Sequence, residues 1–222
     1  MRWAGLASTV VTVAAVVTAP TAGASAASFC DRIGGQWNGQ YCHSSVISDR
    51  NALREIDIAI PAEIDNPVIG GVLSNYLTTL MNNWRSLAKA MIQNSRGRAD
   101  FEVFRHGGIH TVVFHETYDS DSTGRIEGPA IQSAYRTFAF DSASGHQVQL
   151  ADLVDVGAIP RLGAPYIQAA LDQAAPPHEP NSYPFIPERW TPDTVYSGGY
   201  KAWALAPDEL ILYLPDLSLI HI

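Results

Sequence analysis

Cysteines and basic residues are both scarce in this chain. Among its 222 residues there are only two cysteines, Cys30 and Cys42. Lysine and arginine together number 14 against 22 aspartates and glutamates, which gives a formal net charge of −8 at pH 7. Nucleic-acid recognition depends on cationic patches, so this balance argues against a nucleic-acid partner. A zinc site needs more ligands at close spacing than His43 adds beside the cysteines, so we expect no metal.

Long apolar runs are also missing, except for one at the N terminus from Leu6 to Val17. This run is shorter than the roughly 20 residues that cross a bilayer, so we predict no membrane span. Arg2 precedes it, and Ala24-Ser25-Ala26 follows with the small residues that signal peptidase accepts. Residues 1–26 are therefore predicted to be a Sec-type signal peptide, which implies a secreted protein.

The two cysteines follow directly behind this leader. Two cysteines in an exported chain most often pair, so we predict a disulfide between Cys30 and Cys42 that staples an N-terminal loop. In the chain-entropy description such a bond adds roughly 3 kcal/mol of stability. A zinc half-site or a catalytic thiol are the alternatives.

Hydrophobic periodicity predicts an α+β domain. Strict alternation from Glu55 to Ile60 is typical of a half-buried strand. An apolar stripe at helical spacing runs from Ile69 to Ile92, with Asp65 or Asn66 as N-cap and Gly97 as a stop.

Further patterns predict strands at 101–105, 109–118 and 133–141, a helix opening at Pro160, and a hairpin of 200–205 with 210–214. The last of these strands is apolar on both faces, so we expect it to be central. We predict a mixed or antiparallel sheet packed on one long helix.

Four blocks in this order resemble the mycobacterial secreted immunogenic antigens, a family that shares a domain with the extracellular part of the RsiV anti-sigma factor. The blocks are 29–42 with both cysteines, 56–61, the strand–turn–strand segment 135–153, and the closing hairpin 203–214. The resemblance implies a β-grasp-like α+β fold. Relatives often carry Gly-Gly-x-His-Pro where this chain has Glu127 to Ile131, without a histidine.

The resemblance and the mature length imply one secreted domain over residues 27–216. Residues 217–222, Leu-Ser-Leu-Ile-His-Ile, resemble sequencing-adapter codons, so we expect the native C terminus to be missing.

Some family members resemble carboxylesterases, but the nucleophile-elbow pattern Gly-x-Ser-x-Gly is absent. No sequence pattern brings a candidate nucleophile, base and orienting acid together. The candidate nucleophiles are Ser142, Ser144 and Ser197, the candidate bases are His106, His110, His115 and His146, and the candidate orienting acids are Asp141, Asp152 and Asp155. The catalytic residues are therefore unknown, and no cofactor is expected.

Aromatic residues in loop-rich segments suggest a binding surface instead. Trp37 and Trp190 are the candidate ligand contacts, because exposed aromatic rings bind glycans and protein partners. Filling of the core is the alternative for both rings. We expect a secreted monomer that binds an unknown protein, a glycan or a small ester, with a secreted carboxylesterase as the alternative function.

Overall fold

The computed structural model describes residues 22–120, 130–174, 186–194 and 197–214. Its helices are α1 (Ala22–Arg32), α2 (Gly70–Ala88), α3 (Ile159–Leu162) and α4 (Ala164–Ala174). Its strands are β1 (Gln36–Trp37), β2 (Tyr41–Ile47), β3 (Leu53–Ala59), β4 (Ser95–His106), β5 (Ile109–Ser120), β6 (Ala130–Asp141), β7 (Trp203–Leu205) and β8 (Leu210–Leu212). The predicted mixed α+β class is confirmed. The predicted leader and tail lie largely outside the described residues.

Six strands form one mixed sheet in the order β1-β2-β3-β4-β5-β6. All neighbours are antiparallel except β3 and β4, which run parallel. Parallel neighbours need a crossover connection, and α2 supplies it. The helix buries Leu73, Leu77 and Met81 in the main core against this sheet.

Helix α2 is shorter than its sequence pattern suggests, since it begins at Gly70 and ends at Ala88. The Asn66 side chain accepts hydrogen bonds from the amides of Val68 and Ile69 at 2.9 and 3.2 Å, so it orders the turn before the helix. The prediction that Gly97 stops the helix is wrong. Gly97 lies inside β4, where a Cβ atom would come within 2.9 Å of the Trp84 ring.

A separate two-stranded sheet pairs β7 with β8. The prediction of a central strand at 210–214 is therefore wrong for the described residues, because β8 has β7 as its partner there and Leu210 is exposed. The apolar character of this segment reflects a second core, formed by Ile109, Ala139, Leu150, Tyr200 and Trp203. Within the described ranges, no helix has both the length and the apolar character needed to cross a bilayer.

The Cys30–Cys42 disulfide joins α1 to β2, which confirms the predicted pairing. We call the region held by this bond the N-terminal clasp. Both cysteines are completely buried. Arg85 of α2 ties this clasp to the core: it donates to the Ser44 hydroxyl at 3.0 Å, to the Ile33 carbonyl at 2.8 Å and to the Gly34 carbonyl. One guanidinium group thus connects α2 to β2 and to the segment that directly follows α1.

Gly35 is the residue whose size this clasp limits most. A Cβ atom there would lie 2.4 Å from the Cys42 sulfur and 2.9 Å from the Cys30 sulfur. We expect Gly35→Ala to lower the free energy of unfolding by about 1–3 kcal/mol, the usual effect of overpacking. The matched control is Gly71→Ala in α2, where a Cβ atom meets nothing within 4 Å. That change should be neutral or stabilise by up to about 1 kcal/mol. Equal effects of the two substitutions in non-reducing denaturant titrations would contradict this packing.

Candidate functional site

Strand β4 divides its side chains between the core and the surface. Gly97 and Ala99 are buried, whereas Arg96 and Arg98 are exposed and Asp100 is half-buried. Successive residues of a strand point to opposite faces, so charged residues at every second position place a polar face on the side of the sheet away from α2. We define this polar face by the residues that share it across the sheet: His43, Glu55, Asp57, Arg96, Arg98, Asp100 and His115.

The second core covers only part of this side of the sheet. On β6, the Thr137 hydroxyl donates to the Lys201 carbonyl at 3.1 Å and accepts from the Trp203 amide at 3.2 Å. Ala139 is buried in the second core. The polar face occupies the remaining part, where the side chains of Arg96, Arg98 and Asp100 are 57%, 46% and 42% exposed. This part of the sheet is therefore accessible to a ligand.

Strand register brings a phenol, a guanidinium and a carboxylate together at one end of this face. Tyr41 pairs with Ala59 across β2 and β3, and Arg98 and Asp100 follow on β4. The Tyr41 hydroxyl donates to the Asp100 carboxylate at 2.7 Å. Arg98 donates to the same carboxylate at 2.7 and 3.1 Å, donates to the Tyr41 hydroxyl, and lies 4.7 Å over the Tyr41 ring.

An open groove of about 380 Å³ lies beside this cluster. We call it the Tyr41 groove, and it is lined by Gly39, Gln40, Tyr41, Ala59, Ile60, Asp100 and Phe101. Its lining combines a phenol, a carboxamide and a carboxylate with Ile60, which is buried in the main core, and Phe101, which is half-buried against that core. Three polar side chains therefore converge on one open groove.

The β1–β2 turn positions the groove's first wall. The Asn38 side chain accepts from the amides of Gln40 and Tyr41 at 3.0 and 2.7 Å, and Gly39 takes a positive φ of 99°. Glycine adopts this conformation without steric penalty. Gln40 then donates to the Tyr41 hydroxyl at 3.2 Å. The hydrogen bonds among residues 38–41 thus hold this turn in one conformation without a ligand.

Hydrogen bonding and charge hold this cluster in defined protonation states. Burial raises the pKa of Tyr41, and its hydrogen bond to Asp100 adds to the effect. For Asp100, partial burial opposes ionisation, but the hydrogen bonds from Arg98 and Tyr41 outweigh it and lower the pKa. At neutral pH the site therefore presents a protonated phenol, an ionised carboxylate and a charged guanidinium.

The two tryptophans predicted to contact a ligand lie elsewhere. Trp37 pairs with Cys42 in the β1–β2 ladder and packs against the main core, on the face opposite Asp57 and Asp100. Trp190 is only 3% exposed and packs with Ile167 in a third small core. The Trp190 ring is therefore part of a small core, and the two tryptophans do not form a common surface.

The candidate serines are occupied by turns. Ser197 is 1% exposed, donates to the carbonyls of Thr191 and Thr194, and accepts from the Gly199 amide. Ser144 donates to the Asp141 carboxylate at 2.7 Å. In the described ranges, none of Ser142, Ser144 and Ser197 has a hydrogen bond to a histidine ring.

Asp141 and His146 share the turn that contains Ser144, whereas the other candidate histidines and acids are distributed over other turns and strands. His106 and His110 flank the Gly107-Gly108 turn between β4 and β5, and His110 lies 3.5 Å from Glu63. Asp152 and Asp155 accept from nearby backbone amides in two short turns. Across the described parts of the chain, no group of three or more histidine, cysteine or acidic side chains is arranged to hold a metal ion.

Comparison with known proteins relates part of the chain to a described family. The family model described as a mannan-binding protein matches residues 19–56, which is well under half of this chain. The matched segment contains α1, the disulfide, the β1–β2 turn and Tyr41, and it ends within β3. Ala59, Ile60, Asp100 and Phe101 of the Tyr41 groove lie outside it.

Among solved structures, the chain is similar to a DUF3298 family protein from Pseudomonas aeruginosa, with 16% sequence identity and a TM-score of 0.33. The similarity covers 60% of this chain and 63% of that one, so it spans less than two thirds of either. No curated protein matches the chain.

Sequence reasoning missed Asp100 and Arg98. The signal was present, since Arg96, Arg98, Asp100 and Glu102 place a charge at every second position of β4. Such alternation predicts an exposed strand face. The register that brings Asp100 to Tyr41 joins residues 59 positions apart, and no local pattern encodes it.

The pH dependence of stability tests the Asp100 hydrogen bonds. Because the folded-state pKa of Asp100 is lowered, its contribution is present above the unfolded value of about 3.9 and is lost as the pH falls through the folded value. Asp100→Asn should lower the free energy of unfolding by about 0.5–1 kcal/mol at pH 7, as expected for a partly exposed pair. The difference from wild type should shrink below about pH 4.

Asp208→Asn is the matched control, because Asp208 is exposed in the β7–β8 turn. Its denaturation curves should follow the wild type at both ends of the pH range. An Asp100→Asn deficit that stays constant down to about pH 2.5 would show that the carboxylate is not preferentially stabilised in the folded chain.

Proposed function

We propose that this chain is a secreted, non-catalytic glycan-binding protein that holds its ligand in the Tyr41 groove. The observation that carries the proposal is the coincidence of two independent features. The segment similar to a mannan-binding family supplies Gly39, Gln40 and Tyr41, and the same three residues line the groove next to Asp100.

The chemistry of the groove suits sugar hydroxyl groups. A hydroxyl both donates and accepts, so it is recognised best by donors and acceptors placed side by side. The Asp100 carboxylate accepts, the Gln40 amide does both, and the Arg98 guanidinium donates. Phe101 is half-buried, so it keeps apolar surface beside the groove against which the carbon-bound face of a sugar ring can pack.

Preorganisation supports binding by this groove. The Asn38 side chain already holds the β1–β2 turn, and Arg98 and Asp100 already fix the Tyr41 hydroxyl. A ligand that meets ordered polar groups loses less affinity to the freezing of side chains. The disulfide contributes to the same rigidity by fixing Cys42, the residue after Tyr41, to α1.

Secretion is part of the proposal. A structural disulfide is typical of proteins that work in an oxidising compartment, and the predicted leader accounts for their export. The finer assignments, to the mycobacterial immunogenic antigens and to a β-grasp-like fold, remain predictions from the sequence blocks. Ester hydrolysis is the weaker candidate, because Ser144 and Ser197 serve turns.

Binding to mannan with purified chain tests the function. We expect saturable binding in isothermal titration calorimetry, and we expect Asp100→Ala to weaken it by about tenfold or more, since charged hydrogen-bonding groups contribute most. Gln40→Ala should weaken it by about 3- to 10-fold. Thermal unfolding of each variant is measured beside that of the wild type. A variant that unfolds like the wild type but binds more weakly has lost a ligand contact and not its fold.

Gln168→Ala is the matched control for Gln40→Ala. Gln168 lies on α4 and donates to Asp172 at 2.8 Å, outside the groove. Its removal should leave mannan affinity unchanged. Absence of binding to mannan, or binding that Asp100→Ala and Gln168→Ala leave equally intact, would refute a glycan site in the Tyr41 groove.

A further inference from the structure

Three aromatic rings form a stack at the far end of the polar face. His115 of β5 stacks on Tyr135 of β6, with ring centroids 4.5 Å apart and planes 8° apart. Tyr135 stacks in turn on Tyr213, which follows β8, at 4.5 Å and 28°. All three side chains are half-buried, so each keeps part of its surface accessible. We call these residues the ring stack.

Strand register places the ring stack in line with the Tyr41 groove. His115 pairs with Asp100 across β4 and β5, and with Tyr135 across β5 and β6. Ala59 lies between Tyr41 and Asp100 in the same row. From β2 to β6 the row crosses four interstrand spacings of about 4.8 Å each, a span of roughly 19 Å.

The chemistry changes along this row from an ion pair at the groove end to stacked rings at the other end. At the groove end, Arg98 is paired with Asp100 at 2.7 Å. At the other end, stacking uses the ring faces of Tyr135 and leaves phenol hydroxyls and imidazole nitrogens at the ring edges. Burial and the nearby charge of Glu102 raise the pKa of Tyr213 to about 12, so this hydroxyl stays a donor at neutral pH.

We infer that the Tyr41 groove and the ring stack are two ends of one site that takes an extended, uncharged polysaccharide. This inference rests on the proposed glycan-binding function and specifies the length and charge of its ligand. A monosaccharide would fill the groove alone. A chain of several sugar rings would continue over Asp100 and His115, and its hydroxyls would reach the edges of Tyr135 and Tyr213.

The uncharged character follows from the pairing of charges on the face. Besides Arg98 with Asp100, Arg96 pairs with Glu55 at 2.9 Å, and the His43 ring is hydrogen-bonded to Asp57 at 2.8 Å. A polyanionic chain would meet the carboxylates of Asp57 and Asp100, so repulsion would offset its attraction to arginine. A neutral chain can hydrogen-bond to both partners of each pair without separating them.

The experiment measures affinity against ligand length by calorimetry. The probes are mannose oligosaccharides of two, four and six units, soluble mannan, and an alginate-type polyuronate of matched length. We expect wild-type affinity to rise with length and to exceed that for the polyuronate. Tyr135→Ala should lower affinity for the six-unit chain by about 3- to 10-fold and leave the two-unit ligand unchanged.

Two further variants sharpen the result. Tyr135→Phe keeps the stacked ring and removes only the hydroxyl, so a loss in both Tyr135 variants assigns the contact to the ring edge. A loss confined to Tyr135→Ala instead assigns it to the stack as a whole, and both results support the inference. Tyr166→Ala is the control, because Tyr166 lies on α4, is 79% exposed and lies outside the row.

The opposing outcomes are distinct. Binding that does not depend on length, a Tyr135→Ala variant with the wild-type length dependence, or tighter binding of the polyuronate would overturn the extended neutral site while leaving glycan binding in place. Failure of wild type to bind any of the oligosaccharides or mannan would overturn the proposed function together with this inference.

Discussion

The Cys30–Cys42 bond is the constraint on which the other contacts near the groove depend. It holds α1 against β2 and brings Gly35 so close to both sulfurs that no side chain fits there. Arg85 then connects the carbonyls of Ile33 and Gly34 to α2. Cys42 is next to Tyr41, and in the register that pairs Tyr41 with Ala59 the Tyr41 hydroxyl reaches Asp100. A covalent bond in the core thus anchors the strand that carries a hydrogen bond on the surface.

The polar face exists because the two sides of the sheet are covered unequally. Helix α2 packs along one side and accounts for the buried alternate positions of β4, such as Gly97 and Ala99. On the other side, the second core covers the sheet only around Ile109 and Ala139. The remaining strand length must then carry side chains that tolerate water, and charged residues are those least often buried. The polar face is both exposed and polar because the second core covers only part of that side of the sheet.

The sequence predicted the elements well where periodicity is local. The strand around Ile58, the helix behind Asn66 and the hairpin at Gly107-Gly108 all follow patterns of two or three-to-four residues. Predictions that needed tertiary information failed. Gly97 suggested a helix stop, yet its lack of a side chain serves the close approach of the Trp84 ring. The apolar segment at Leu210 suggested a central strand, yet a second small core explains it. The candidate site was invisible for the same reason: Tyr41 and Asp100 meet through pairing between distant strands, and Trp190 is buried by contacts that composition cannot reveal.

Paired charges give the polar face fixed hydrogen-bonding groups more than they add to its stability. An exposed ion pair contributes little to folding, so the pairs of Arg98 with Asp100 and of Arg96 with Glu55 do not explain by themselves why so many charges gather here. Their effect on a ligand is larger. Each pair fixes the orientation of a planar guanidinium and a carboxylate, and each carboxylate oxygen keeps a lone pair for a further donor. Because opposite charges alternate within a few ångströms, the field they produce falls off quickly with distance and attracts no ion strongly. If the chain binds glycans as proposed, such a surface would discriminate by the spacing of hydroxyl groups more than by charge, and the fixed interval between neighbouring strands would supply that spacing.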